Sequence, residues 1–143
     1  MSDFVLSACS TADISKEHFA SRKISYICFH YFLNDVEYED DLYTTMTAEA
    51  FYQAMVDGAD TRTSQVNISE YLDYFTGFLE QGKDILHLTL SSGISGSYTS
   101  AVNAAAIARE RYPERKIYIV DSLAASSGYG LFMDKLADRK SVV

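Results

Sequence analysis

The chain has 143 residues, of which 48% are hydrophobic and 22% charged, and its formal net charge is −8. That is enough apolar material for one packed core, and the acidic balance argues against a nucleic-acid surface or a polybasic membrane anchor. No apolar run approaches the ~20 residues of a membrane span, Asp3 stands where a secretion signal would carry cations, and the two cysteines, Cys9 and Cys28, lack metal-ligand spacing and fit a reducing cytoplasm.

Phe4 to Ala8 is a short apolar run, followed by the polar turn Cys9-Ser10-Thr11-Ala12-Asp13. Ser15 to Arg22 reads as a short helix. Ile24 to Leu33 is apolar on both alternating faces, which predicts one strand covered above and below. Asn34 to Thr45 is polar and acidic, a loop or small hairpin around Asn34-Asp35. Thr47 can cap a helix through Phe51 and Met55 that Gly58 closes. Asn67 and Glu70 have capping-box spacing, and the helix they open carries Tyr71, Leu72, Phe75, Phe78 and Leu79 on one stripe before Gly82.

Ile85 to Leu90 predicts a second buried strand and Ile117 to Val120 a third. Between them Gly96 to Tyr112 predicts the longest helix, with Tyr98, Ala101, Val102, Ala105 and Ala108 inward, stopped by Pro113. A last helix begins at Ser126 and runs to about Asp138. Strands separated by helices imply an α/β fold with a central, mainly parallel sheet flanked by helices.

Ligands of such sheets lie at the carboxyl ends of the strands. Three hydroxyl-rich turns fall there: Cys9-Ser10-Thr11, Ser91-Ser92-Gly93-Ile94-Ser95-Gly96-Ser97 and Asp121-Ser122. A fourth polar segment, Thr61-Arg62-Thr63-Ser64-Gln65, precedes a helix start. Any one of these turns could be an ordinary cap. Together they predict a small anion site of hydroxyls and backbone amides, with Arg62 the one cation within these turns. Gly93-Ile94-Ser95-Gly96-Ser97 misses the nucleophile elbow by its last residue, and no lysine follows Gly96 as a phosphate loop requires. A serine-dependent hydrolase acting on an acyl ester through Ser92 or Ser95, and a phosphate or nucleotide binder at the helix start after Gly96, remain alternative readings. The hydrolase needs a histidine near these turns, whereas His30 and His87 read as packed strand residues. The acids Glu37, Glu39, Asp40 and Asp41 fit no calcium loop and read as solvated. No cofactor or metal is indicated.

Thr63-Ser64-Gln65, together with Ser91-Ser92-Gly93-Ile94-Ser95-Gly96-Ser97-Tyr98, resembles the DegV family. Ser10-Thr11-Ala12-Asp13 resembles the family's opening D-S-T-A-D-L. Tyr38-Glu39-Asp40 is similar to its Y-x-D, and Phe51-Tyr52 to its F-Y. Val120-Asp121-Ser122 with Ala125-Ser126 and Gly128 resembles V-I-D-S-x-x-A-S-x-G. The similarity runs from about Phe4 to Asp134, with two departures: Cys9 stands where the family has Asp, and Val66 where it usually has Pro.

The resemblance implies a non-catalytic, cytoplasmic protein that binds a long-chain fatty acid and presents it for phosphorylation by a fatty acid kinase catalytic subunit, without stable membrane insertion. It implies that Thr63 and Ser92 hold the carboxylate, with Ser64, Gly93, Ser95, Gly96, Ser10 and Ser122 in support. Family members are about twice as long, and a second domain closes over the ligand and supplies basic groups. Residues 1–137 are therefore expected to be the amino-terminal α/β domain, with the carboxyl-terminal domain absent. Residues 138–143, Asp-Arg-Lys-Ser-Val-Val, match one reading frame of a common sequencing adapter and are expected to be a non-native tail.

Overall fold

The computed structural model describes residues 4–141. Its centre is a four-stranded parallel sheet of β1 (Phe4–Cys9), β2 (Ile24–Ile27), β6 (Asp84–Thr89) and β7 (Ile117–Asp121), in the order β2-β1-β6-β7. β1 pairs with β6 from Phe4↔Asp84 to Ser7↔His87, and β6 with β7 from Ile85↔Ile117 to Thr89↔Asp121. Val5 through Cys9 are all buried, as a strand covered on both faces requires.

Helices α3 (Ile68–Leu79) and α4 (Ser97–Arg111) pack on each other and on β6. The capping box at the start of α3 is complete: Asn67 accepts the Glu70 amide, and Glu70 accepts the Asn67 amide. Tyr71, Phe75 and Leu79, four residues apart, form its buried stripe. On α4 the inward face is Ser97, Ala101, Ala104, Ala105 and Ala108. Tyr98 and Val102, expected inward, are only half-buried. Fully buried alanines bring the α4 backbone close to its neighbours, and the bulkier side chains are left at the margin.

The chain departs from expectation at Ile24–Leu33, which is not one strand. β2 ends at Ile27, and β3 (His30–Leu33) joins a separate antiparallel sheet with β4 (Val36–Glu39) and β5 (Thr61–Ser64), in the order β4-β3-β5. Phe29 marks the break. Its amide donates to Ser10 Oγ at 3.0 Å, and its carbonyl accepts the Asp40 amide at 2.8 Å. Apolar alternation runs unbroken through this point, so periodicity alone cannot register a change of sheet. The hairpin of β3 and β4 turns at Asn34 and Asp35, both with positive φ (50° and 65°), as a two-residue primed turn demands. Thr61-Arg62-Thr63-Ser64, read only as a polar segment before a helix start, is polar on both faces; its partner across the sheet makes it a strand.

The two remaining long helices are α2 (Ala48–Val56), capped by Thr47 as expected, and α5 (Ser126–Ser141); the short α1 (Lys16–Ser21) follows its cap Ser15. α5 continues past Asp138, whose carboxylate pairs with Arg22, and Lys140 Nζ donates to the Phe4 carbonyl at 2.5 Å. Residues 142 and 143 of the expected tail lie outside the described residues. No helix among the described residues is long and apolar enough to cross a membrane.

Candidate functional site

The turn after β6 is held mostly by its own serines. The Ser91 carbonyl accepts the amides of Ile94 (3.1 Å) and Ser95 (3.2 Å), and Ser91 Oγ accepts that of Gly93 (3.2 Å). The Ser92 amide goes to Asp121 Oδ1 at 3.1 Å, across from the end of β7. The Asp121 carboxylate also accepts the Leu123 amide at 3.0 Å. Burial pushes the Asp121 carboxyl up, but the hydrogen bonds from Ser92 and Leu123 outweigh it and hold it below the usual range. α4 then opens at Ser97, with Gly96 as the N-cap residue and no cap from its own side.

Gln65 joins this turn to β5. Ser95 Oγ donates to Gln65 Oε1 at 3.3 Å and accepts the Ser97 amide at 3.1 Å. The contact is close enough that a Cβ on Gly96 would stand 2.8 Å from Gln65 Nε2. Gln65 is two residues past Thr63, so its contact with Ser95 and Gly96 links the end of β5 to the β6–α4 turn; Thr63 and Ser92 are both exposed. Beneath the turn runs a buried polar chain. Ser97 Oγ lies 2.6 Å from Tyr71 OH, which lies 3.2 Å from Cys9 Sγ. Burial raises the Cys9 thiol above its ordinary value, so it is a neutral partner within this chain.

The expected residues therefore divide. Ser92, Gly93, Ser95 and Gly96 share the β6–α4 turn, which Asp121 and Gln65 hold, while Thr63 lies in β5 two residues before Gln65. The amides of Ser92 and Gly93 are engaged within the turn, as are the hydroxyls of Ser91 and Ser95, and the Ser92 side chain also hydrogen-bonds the Asp121 carboxylate. Ser64 lies on the face of β5 opposite Thr63, paired across the sheet with His30. Ser10 is buried and ties the β2–β3 break to the sheet. Ser122 is also buried and bonds the Ala124 amide and carbonyl. Arg62 faces away from Thr63: it pairs with Asp35 at 2.5 Å and lies over the Phe32 ring, so it is not the site's cation.

The histidines are engaged elsewhere. His87 is fully buried, 2.8 Å from Ser7 Oγ and edge-on to Tyr71 and Phe75, and burial pushes it down to about 3. His30 pairs with Glu70 at 2.6 Å and His18 with Asp134 at 2.8 Å. No cluster of three or more potential metal ligands occurs among the described residues.

Beside Thr63 opens a cavity of about 210 Å³, walled by Phe29, Tyr31, Tyr43, Met46, Phe51 and Tyr52. Thr11, also in its wall, has a buried hydroxyl without a partner among the described residues. Burial raises the carboxyl of Asp40 at the same cavity, although the Ser10 hydroxyl counters it. The two connecting residues, Gln65 and Asp121, were legible only as members of polar turns. Their roles depend on which strand ends lie side by side.

These features define an α/β domain with a serine-rich turn at the carboxyl end of its parallel sheet and a small, largely aromatic cavity beside Thr63. The model of the DegV family, described as uncharacterised proteins, matches residues 8–139. The chain belongs to the DegV family. A DegV domain-containing protein of Clostridium perfringens (strain 13 / Type A) is 35% identical over 140 residues, covering 98% of this chain and 48% of the relative. A fatty acid (stearic acid)-binding protein from Eubacterium ventriosum has a solved structure that matches with TM-score 0.88 at 27% identity, over 97% of this chain and 48% of its own. The Streptococcus pneumoniae fatty acid kinase (Fak) B3 protein, solved with linoleic acid, matches with TM-score 0.77 over 99% of this chain and 49% of its own; at 22% identity this likeness concerns the fold alone. The chain spans about half the length of the curated relatives it matches.

Proposed function

We propose that this chain contributes the carboxylate-binding half of a long-chain fatty-acid-binding protein, which presents its ligand to a partner kinase in the cytoplasm. The observation that supports the reading is the bridge from Gln65 to Ser95, which ties the β6–α4 turn carrying the exposed Ser92 to the residue just past β5, whose exposed Thr63 lines a largely aromatic cavity that also carries Glu39, Asp40 and Asp41. Thr63 and Ser92 donate to the carboxylate; Ser95, Gly93 and Gly96 shape the turn. The start of α4, where Ser95 Oγ takes the Ser97 amide and Gly96 itself supplies no cap, adds the positive end of a helix. The stearic acid named for the Eubacterium ventriosum protein supports the ligand class, and the kinase partner rests on the family resemblance.

Energetics assign the two parts of the ligand different tasks. A charge-assisted hydrogen bond is worth ~1.5–3 kcal/mol, and each buried CH₂ contributes ~0.8 kcal/mol. The tail dominates affinity and the hydroxyls fix orientation. The cavity of about 210 Å³ is smaller than the roughly 300–1,000 Å³ of ordinary ligand pockets, so a long tail needs walls beyond it. The hydrolase alternative has less support, because His87, His30 and His18 are held by Ser7, Glu70 and Asp134 rather than by Ser92 or Ser95.

The test is calorimetric titration of the full chain encoded by the gene with palmitate. Thr63→Val is expected to lose ~1.5–3 kcal/mol of affinity with its fold intact. Unchanged affinity removes Thr63 from the site, and labelling of Ser92 or Ser95 by a fluorophosphonate probe would favour the hydrolase.

A further inference from the structure

We propose that Gln65 is a positioning residue that sets the spacing between the Thr63 and Ser92 hydroxyls by fastening the β6–α4 turn to the end of β5. The proposal deepens the fatty-acid reading and rests on it. Gln65 is itself held at both ends. β5 pairs with β3 up to Ser64, the next residue Val66 is fully buried, and Asn67 is the cap of α3. Its side chain therefore extends from a fixed backbone.

The amide meets the turn at two adjacent residues. Oε1 accepts the Ser95 hydroxyl, which frees the lone pairs of Ser95 Oγ for the Ser97 amide and so fixes that hydroxyl's orientation. The rest of the amide lies against Gly96, where any side chain would meet Nε2 and Oε1 at 2.8 and 2.9 Å. A side chain at 96 would thus displace the Gln65 amide, whereas the glycine's own backbone, with φ of −75°, suits any residue. From the other side, Ser97 is anchored to Tyr71 and through it to Cys9 in β1. The turn is consequently located relative to both sheets, and Gln65 supplies the link to the small one. An error of a fraction of an ångström in this link moves Ser92 relative to Thr63, and a two-point carboxylate contact is lost before the fold is.

The experiment uses the full chain encoded by the gene and two ligands of equal tail length, palmitate and 1-hexadecanol. Gln65→Met keeps volume against Gly96 but removes both polar atoms. Gln65→Ala and Gly96→Ala loosen the contact from either side. Each variant is expected to weaken palmitate about tenfold, the scale of one hydrogen bond, while hexadecanol changes less than about twofold and the melting temperature stays within a few degrees. Gln65→Ala combined with Gly96→Ala is expected to be no worse than either alone, because both break the same contact. A Gln65→Met or Gln65→Ala protein with wild-type preference for palmitate overturns the proposal alone. So does a parallel loss of both ligands, or additive losses in the double variant. A wild-type protein that binds palmitate no better than hexadecanol overturns the fatty-acid reading, and the proposal with it.

Discussion

His87 makes the protein sensitive to mild acid well above the range of its carboxylates. The imidazole is fully buried in β6, against the rings of Tyr71, Tyr74 and Phe75, with Ser7 Oγ and Cys9 Sγ as its polar neighbours. Burial lowers its pKa to about 3, whereas in the unfolded chain it titrates near 6.5. Between those values the unfolded state binds a proton that the folded state refuses, so stability rises with pH across this window. The contribution is complete above about pH 6.5 and is lost as pH falls toward 3. At ~1.36 kcal/mol per pH unit, the loss between pH 7 and pH 5 is about 2 kcal/mol. That is a large share of the roughly 5–15 kcal/mol by which domains are stable. His87→Gln keeps a polar group for Ser7 and cannot charge. Its stability at pH 7 is expected to be lower by ~1–3 kcal/mol through lost ring contacts, while its slope between pH 7 and pH 5 is shallower by that 2 kcal/mol. Urea unfolding followed by circular dichroism at the two pH values measures both. Parallel losses in the wild type and the variant would refute the reasoning, because the acid-sensitive group would then lie elsewhere.

Tyr129→Phe is expected to cost ~1–3 kcal/mol in the same unfolding assay. Its hydroxyl donates to the Leu88 carbonyl at 2.5 Å and accepts the Cys9 amide at 2.9 Å, and the change leaves both buried groups unpaired; a change under about 0.5 kcal/mol would mean that water replaces it. The 143-residue chain on its own is expected to associate and to hold palmitate weakly, because Tyr118, Leu123, Leu131 and Phe132 are each more than half exposed. Size-exclusion chromatography with light scattering, beside a fluorescent fatty acid titration, checks this. A clean monomer with submicromolar affinity contradicts it.

The features legible in the sequence were those whose cause is local. Asn67 with Glu70, Thr47 and Asn34-Asp35 act within a few residues, and each caps or turns the chain where expected. β1, β6 and β7 were legible because burial on two faces leaves continuous apolar runs. The change of sheet at Phe29 was not, because it depends on Ser10, nineteen residues away. β5 was not, because a polar edge strand of a small sheet has no apolar face to betray it. Among the site residues, Thr63 and Ser92 stood out through the family's motif. Gln65 and Asp121 act only once β5 and β7 lie beside the turn, and Ser10 and Ser122 prove to be internal fastenings for the same kind of reason.

The bridge between β5 and the β6–α4 turn also spans a joint. Thr63 belongs to the antiparallel sheet and Ser92 to the end of the parallel one, so a ligand held by both hydroxyls reports the distance between two separately hydrogen-bonded bodies. Binding and the mutual order of the sheets then become linked quantities. A carboxylate at a hundred times its dissociation constant adds about 2.7 kcal/mol against opening of that joint. The amides of β3 to β5 would exchange with solvent more slowly in the loaded protein, although none of them touches the ligand. On the proposed reading, the exchange rates of the small sheet would then report whether the carboxylate is in place.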